Sequence, residues 1–170
     1  MRNKIRDMLS EIACVMRIQF KEYSCGGFRL IVAEIDDDHT ADTTSDRIRV
    51  INDTCITSGR TAYEAFTNHF HLYRGKIKAS EYQTLKDLSI SIGRNMYEKL
   101  SANYPDCDFR LYVEINNHEG IALRFHQVWS NESPIYCDRV VSDSEASNNF
   151  RIYLGNPAQR KNSQKDEKDV

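Results

Sequence analysis

Acid–base or ligand chemistry needs titratable side chains gathered in one place, and two stretches of this chain do so. In residues 108–129, Arg110, Tyr112 and Glu114 alternate with Phe109, Leu111, Val113 and Ile115. A turn follows at Asn117-His118-Glu119-Gly120, and Arg124 and His126 stand on the returning arm among Leu123, Phe125 and Trp129. A period of two is that of a half-buried strand. The polar residues therefore share one face of a β-hairpin, and the apolar ones, Trp129 included, share the other. A histidine near a carboxylate titrates in a range useful for proton transfer, and the arginines suit an anion. Cross-strand pairing on a solvated sheet face, where these side chains would contact a partner, gives the same pattern.

The second stretch runs from Glu34 to Asp46. It holds Glu34, Asp36, Asp37, Asp38, Asp42 and Asp46 and no lysine or arginine, in a chain whose formal net charge is only -2. Like charges in a loop commonly face water. A contact surface for a basic partner is the sharper reading, because clustered charge speeds encounter and rejects wrong partners. Calcium is a poor third. Counting from Asp36, an EF-hand loop wants glycine sixth and glutamate twelfth, where the chain has Ala41 and Arg47.

Other chemistry finds little footing. Cys55 and Arg60 are separated by four residues, one fewer than a phosphatase-type loop requires. The chain has no phosphate-binding glycine-rich loop, no His-Glu-x-x-His and no Gly-x-Ser-x-Gly. His69 and His71 fall in a stretch that reads as helix, where residues two apart diverge, so joint metal ligation is not expected. The expectation is no metal and no cofactor.

The elements that must position these groups follow from periodicity. Ser80 to Asn103 carries Tyr82, Leu85, Leu88, Ile92, Met96 and Leu100 at spacings of three and four, the stripe of an amphipathic helix. Ser80 with Gln83 has the form of a capping box, and Pro105 prevents continuation. This helix should lie on the apolar face of the hairpin. Upstream, Ile5, Met8, Leu9, Ile12, Met16, Phe20 and Tyr23 keep helical spacing, although Met16, Ile18 and Phe20 also alternate. A helix to about Tyr23, stopped by Gly26-Gly27, is the favoured reading. Phe28 to Ile35 reads as a strand, and residues 46–56 as its antiparallel return.

A further helix begins near Thr61, which with Glu64 can cap it. Its stripe of Tyr63, Phe66, Phe70 and Tyr73 reads as core. Ile135-Tyr136-Cys137 reads as an edge strand and Phe150 to Leu154 as a last apolar segment that docks back. The fold class is α+β, helices packed on an antiparallel sheet. The repeated Cys and Phe-Arg-Leu at 25–30 and 107–111 suggest two helix-plus-hairpin halves.

At 170 residues, with 40% hydrophobic and 10% aromatic content, the chain can form a proper core without staples. Residues 1–155 form a single domain, and the polar run 156–170 is read as a disordered tail. Five cysteines without a Cys-x-x-Cys pair fit reduced thiols. With no signal peptide or membrane-spanning run in the sequence, a cytoplasmic protein is expected.

The order of parts resembles the YezG-like immunity proteins over about residues 3 to 130. The residues that carry the likeness are Phe-Arg-Leu-Ile-Val-Ala-Glu-Ile-Asp with its acidic turn, the later amphipathic helix, and Phe-Arg-Leu-Tyr-Val-Glu-Ile leading through Gly120 to Leu-Arg-Phe-His-Gln-Val-Trp. The resemblance implies a small cytoplasmic antidote that neutralises a bacterial toxin, often a nuclease, by binding it. Glu34, Asp36, Asp37, Asp38, Asp42 and Asp46 would then meet a basic surface on the toxin. The alternative is a small hydrolase of an anionic substrate using Arg124, His126 and Glu114. Nucleic-acid binding is disfavoured, since the clearest cationic cluster lies in the tail.

Overall fold

A computed structural model of the chain describes Arg6 and residues 17–25, 27–35, 58–136 and 150–154. The architecture is α+β, with two antiparallel sheets. Strands β1 (Ile18–Cys25) and β2 (Phe28–Ile35) form a hairpin. A second sheet has the order β3-β5-β4-β6, with β3 His69–Arg74, β4 Phe109–Asn116, β5 Gly120–Gln127 and β6 Phe150–Leu154. Helix α1 (Arg60–Thr67) precedes β3, and helix α2 (Ala79–Asn103) lies between β3 and β4.

The apolar stripe of α2 organises the core. Leu85, Ile92, Met96 and Leu100 are buried in one cluster with Phe109, Leu111, Val113, Ile115, Ile121, Leu123 and Phe125 of the β4–β5 hairpin. Ile18, Ile31 and Ala33 of the first hairpin join the same cluster, so one core is shared by both sheets. Each fully buried leucine contributes on the order of 2 kcal/mol. Phe20 meets Phe125 edge to face at 5.8 Å and Tyr104 at 6.5 Å, which carries aromatic packing from one sheet to the other. Two polar groups from the same region reach β1 itself. Lys99 Nζ donates to the Ile18 carbonyl at 2.9 Å, and the Tyr104 hydroxyl donates to the Phe20 carbonyl at 3.1 Å.

The start of α2 lies slightly earlier than the sequence suggests. Its cap is Lys78, whose N–H donates to the Glu81 carboxylate at 3.2 Å, in place of the Ser80 and Gln83 pair. The larger departures are at ambiguous segments. Residues 18–23, expected to be the end of a helix, are strand: the Ile18 and Phe20 alternation is the effective signal, because a partner at 28–35 completes the ladder. Arg6 is helical; the rest of the expected first helix up to residue 16 lies outside the described residues. Helix α1 ends at Thr67, so Phe70 and Tyr73 belong to a strand, and Phe66, expected in the core, is 79% exposed.

Trp129 lies beyond β5 and packs with Leu30, Val32 and Tyr63, away from Leu123 and Phe125. The two Phe-Arg-Leu segments also differ in role. One is the second strand of its hairpin and the other the first, so they are not equivalent positions of a repeat. The expected strand over 46–56 and the tail from 156 lie outside the described residues, and Ile135 and Tyr136 are described but not as strand. Among the described residues no helix is long and apolar enough to cross a membrane.

Gly120 holds β3 against the hairpin. Its φ is +118°, and a Cβ there would stand 2.1 Å from the Tyr73 carbonyl oxygen. Gly27 has φ +83° but open space around it. Gly120→Ala is expected to lower unfolding free energy by more than about 2 kcal/mol, combining overlap with backbone strain, against about 1 kcal/mol for Gly27→Ala. Urea unfolding of both variants measures the difference, and equal losses would refute the close approach.

Candidate functional site

Antiparallel register brings the polar residues of β4 and β5 together as the alternation predicts. Arg110 stands opposite His126, Tyr112 opposite Arg124, and Glu114 opposite Ala122. Arg124 Nε donates to Glu114 Oε1 at 3.2 Å, and its Nη1 donates to the Ala65 carbonyl in α1 at 3.0 Å. Tyr112 and His126 are fully buried, although this face was read as solvated; Ile135 and Tyr136, from the chain after β5, pack on Tyr112. Arg110 is half-buried.

The bonds of His126 settle its tautomer. Nδ1 lies 2.7 Å from the Gln127 carbonyl, which can only accept, so Nδ1 carries the proton. Nε2 is then the acceptor for the Tyr112 hydroxyl at 3.3 Å. Burial lowers the His126 pKa to about 4, so the ring is neutral near pH 7. The three groups considered for hydrolysis are thus engaged inside the fold: Arg124 with Glu114 and helix α1, His126 with Tyr112 and the backbone.

Of the acidic run, Glu34 is described. It receives the Tyr23 hydroxyl and pairs with Lys21 Nζ at 2.6 Å. Asp36, Asp37, Asp38, Asp42 and Asp46 lie outside the described residues.

The densest polar constellation was not singled out from sequence. Glu64 and Asn68, one helical turn apart at the end of α1, are both wholly buried between β2 and β5. Glu64 Oε1 accepts from the Ile31 N–H at 2.9 Å and from Gln127 Nε2 at 2.6 Å. Its Oε2 accepts from the Gln127 N–H at 2.8 Å and from Trp129 Nε1 at 3.2 Å. Asn68 Oδ1 accepts from the Ala33 N–H at 2.8 Å, and its Nδ2 donates to the Ile31 carbonyl at 2.9 Å. The Asn68 carbonyl also accepts the Phe125 N–H at 3.3 Å. These side chains bridge β2, an edge of the first sheet, to the end of β5 that runs past its pairing with β3. Thr61, Glu64, Ala65 and Asn68 follow helical spacing and are all buried; that spacing was the available signal, masked by the polarity of the residues.

Next to this junction, Arg60 is held between two rings. Its guanidinium carbon is 3.9 Å from the centre of Phe28 and 4.4 Å from that of Trp129. Glu132 pairs with Arg60 Nε at 2.5 Å and accepts the Thr61 N–H at 2.7 Å. The first turn of α1 is therefore capped from residue 132, whereas the expected Thr61–Glu64 box does not form because Glu64 is turned inward. Burial pulls the Glu132 carboxyl up, and the bonds from Thr61 and Arg60 outweigh it and hold it below its ordinary pKa.

His69 and His71 also depart from expectation. They stand on β3, not on a helix, so residues two apart share a face and their rings lie 4.8 Å apart. Burial, then the nearby Arg124 and His71, lower the His69 pKa.

Two buried groups give the stability opposite pH slopes. Burial raises the Glu64 pKa from 4.5 to about 7, against the pull of its four donors. Between those values the unfolded chain releases a proton that the folded chain keeps, so stability falls as pH rises. For His126, between 6.5 and about 4 the unfolded chain takes up a proton that the folded chain refuses, so stability falls as pH drops. Across the shared window the two slopes oppose each other. Glu64→Gln should leave stability rising with pH there, and His126→Gln should leave it falling, each by up to about 1.4 kcal/mol per pH unit relative to wild type. Denaturant titrations of the three proteins at pH 4.5 to 6.5 decide it; parallel profiles would refute the assignment.

In comparison with known proteins, no family model, curated protein or solved structure matches the chain.

Proposed function

We propose that this protein acts by binding, as an immunity-type antidote that covers the basic functional surface of a cognate toxin. The observation that carries the reading is the segregation of Asp36, Asp37, Asp38, Asp42 and Asp46, following a Glu34 that Lys21 already pairs, into one run without a lysine or arginine. In a chain of net charge -2, such a run concentrates negative charge in the sequence directly after β2, and a cationic nucleic-acid cleft would be attracted to it. Engagement of Arg124, Glu114 and His126 in internal bonds supports binding over hydrolysis. These side chains support the surface rather than act on a substrate.

The test is to recover the protein's partner by co-purification from its host and to measure association kinetics with that partner. Wild-type protein should abolish toxin activity at equimolar ratio. Replacing Asp36, Asp37 and Asp38 together by lysine should slow association at least roughly tenfold at low ionic strength, with the deficit shrinking at high salt. An unchanged on-rate would reject electrostatic docking through this run, and failure of the wild type to inhibit would reject the antidote reading.

A further inference from the structure

We infer that His69 and His71 form a two-imidazole chelate for a borderline divalent metal ion, of the Zn²⁺ or Cu²⁺ class, on the face of the second sheet opposite α2. The inference is independent of toxin binding. It follows from the change of element: on a helix these residues diverge, whereas on β3 both side chains rise from the same face with ring centres 4.8 Å apart and planes at 47°. Metal–nitrogen bonds of about 2.0–2.1 Å at a tetrahedral angle place two ligand nitrogens about 3.3 Å apart. Rings whose centres are 4.8 Å apart are close enough for one ion to reach a nitrogen of each.

The surroundings suit a cation more than their arginine suggests. His71 stands opposite Ala122 and His69 opposite Arg124. Arg124 has its charge matched by Glu114 at 3.2 Å, and its other end is fixed on the Ala65 carbonyl. Both histidines are partly accessible. Immediately after His71 the β3–β5 register slips before Tyr73. Irregularities of this kind re-aim side chains at functional positions. Two imidazoles fill two coordination positions of the ion, and the remaining positions are open to solvent. His126 is buried with both nitrogens bonded and cannot compete.

The test uses the full, tag-free chain. Calorimetric titration with Zn²⁺ and with Cu²⁺ should show one equivalent bound. His69→Gln and His71→Gln should each weaken it at least roughly tenfold, and His118→Gln, in the exposed β4–β5 turn, should leave it unchanged. On the wild type alone, substoichiometric Cu²⁺ should broaden the imidazole NMR signals of His69 and His71 before those of the other three of five histidines. Absence of uptake by the wild type, affinity retained in both substituted proteins, or broadening that begins at another histidine would overturn the assignment.

Discussion

Among the described residues the two sheets meet without a backbone ladder between them; the side chains of Glu64 and Asn68 stand in for one. The outer side of β2 and the end of β5 beyond β3 present N–H and carbonyl groups that are costly to bury unpaired. A strand could satisfy them, but here two residues of a short helix do so, accepting from Ile31, Ala33 and Gln127 and donating to the Ile31 carbonyl. The carboxylate takes four donors, two on each oxygen. Hydrogen bonds to a charged acceptor contribute more than neutral ones, which offsets part of the desolvation of a wholly buried glutamate, although burial still raises its pKa to about 7. Loss of any one partner leaves a buried donor or charge exposed to that penalty, so the junction fixes the hairpin in one position instead of merely adhering to it.

Around this junction the remaining polar groups fall into order. Glu132 caps α1 and steadies Arg60 between Phe28 and Trp129, so the chain after β5 is tied to the start of the helix that carries Glu64. Arg124 grips the end of the same helix through the Ala65 carbonyl. The short α1 is thus held at its start, its middle and its end by residues far away in sequence. An eight-residue helix has little stability of its own, and its existence here is a tertiary effect. Under the proposed binding function, this rigidity lets β2 deliver the acidic run from a fixed anchor.

What the sequence made legible follows the strength of its periodicities. The β4–β5 hairpin and the helix upstream of it carry long, one-sided patterns, and both are present with Leu85, Ile92, Met96 and Leu100 facing Phe109 to Ile115. Residues 18–23 satisfied two periods at once, and only the partner strand decides between them. At Asn68 the chain changes from helix to strand because its side chain binds Ile31 and Ala33, a contact across more than thirty residues that no local window contains. Glu64 was hidden for a different reason: three residues after Thr61 it reads as half of a capping box, and its burial depends on four donors drawn from Ile31, Gln127 and Trp129. The closeness of His69 and His71 was lost with the wrong element, not with the wrong residues.

The bonds from Lys99 and Tyr104 to the Ile18 and Phe20 carbonyls bear on how this molecule behaves in a crowded solution. A two-stranded ribbon ending in an alternating, partly apolar strand is a template onto which a second molecule could be added, edge upon edge, into a growing fibril. An ammonium and a phenol seated on two of its acceptors occupy the sites where such a strand would bond. They also place a positive charge in its path. The same helix that builds the interior therefore guards the ribbon against unintended polymerisation.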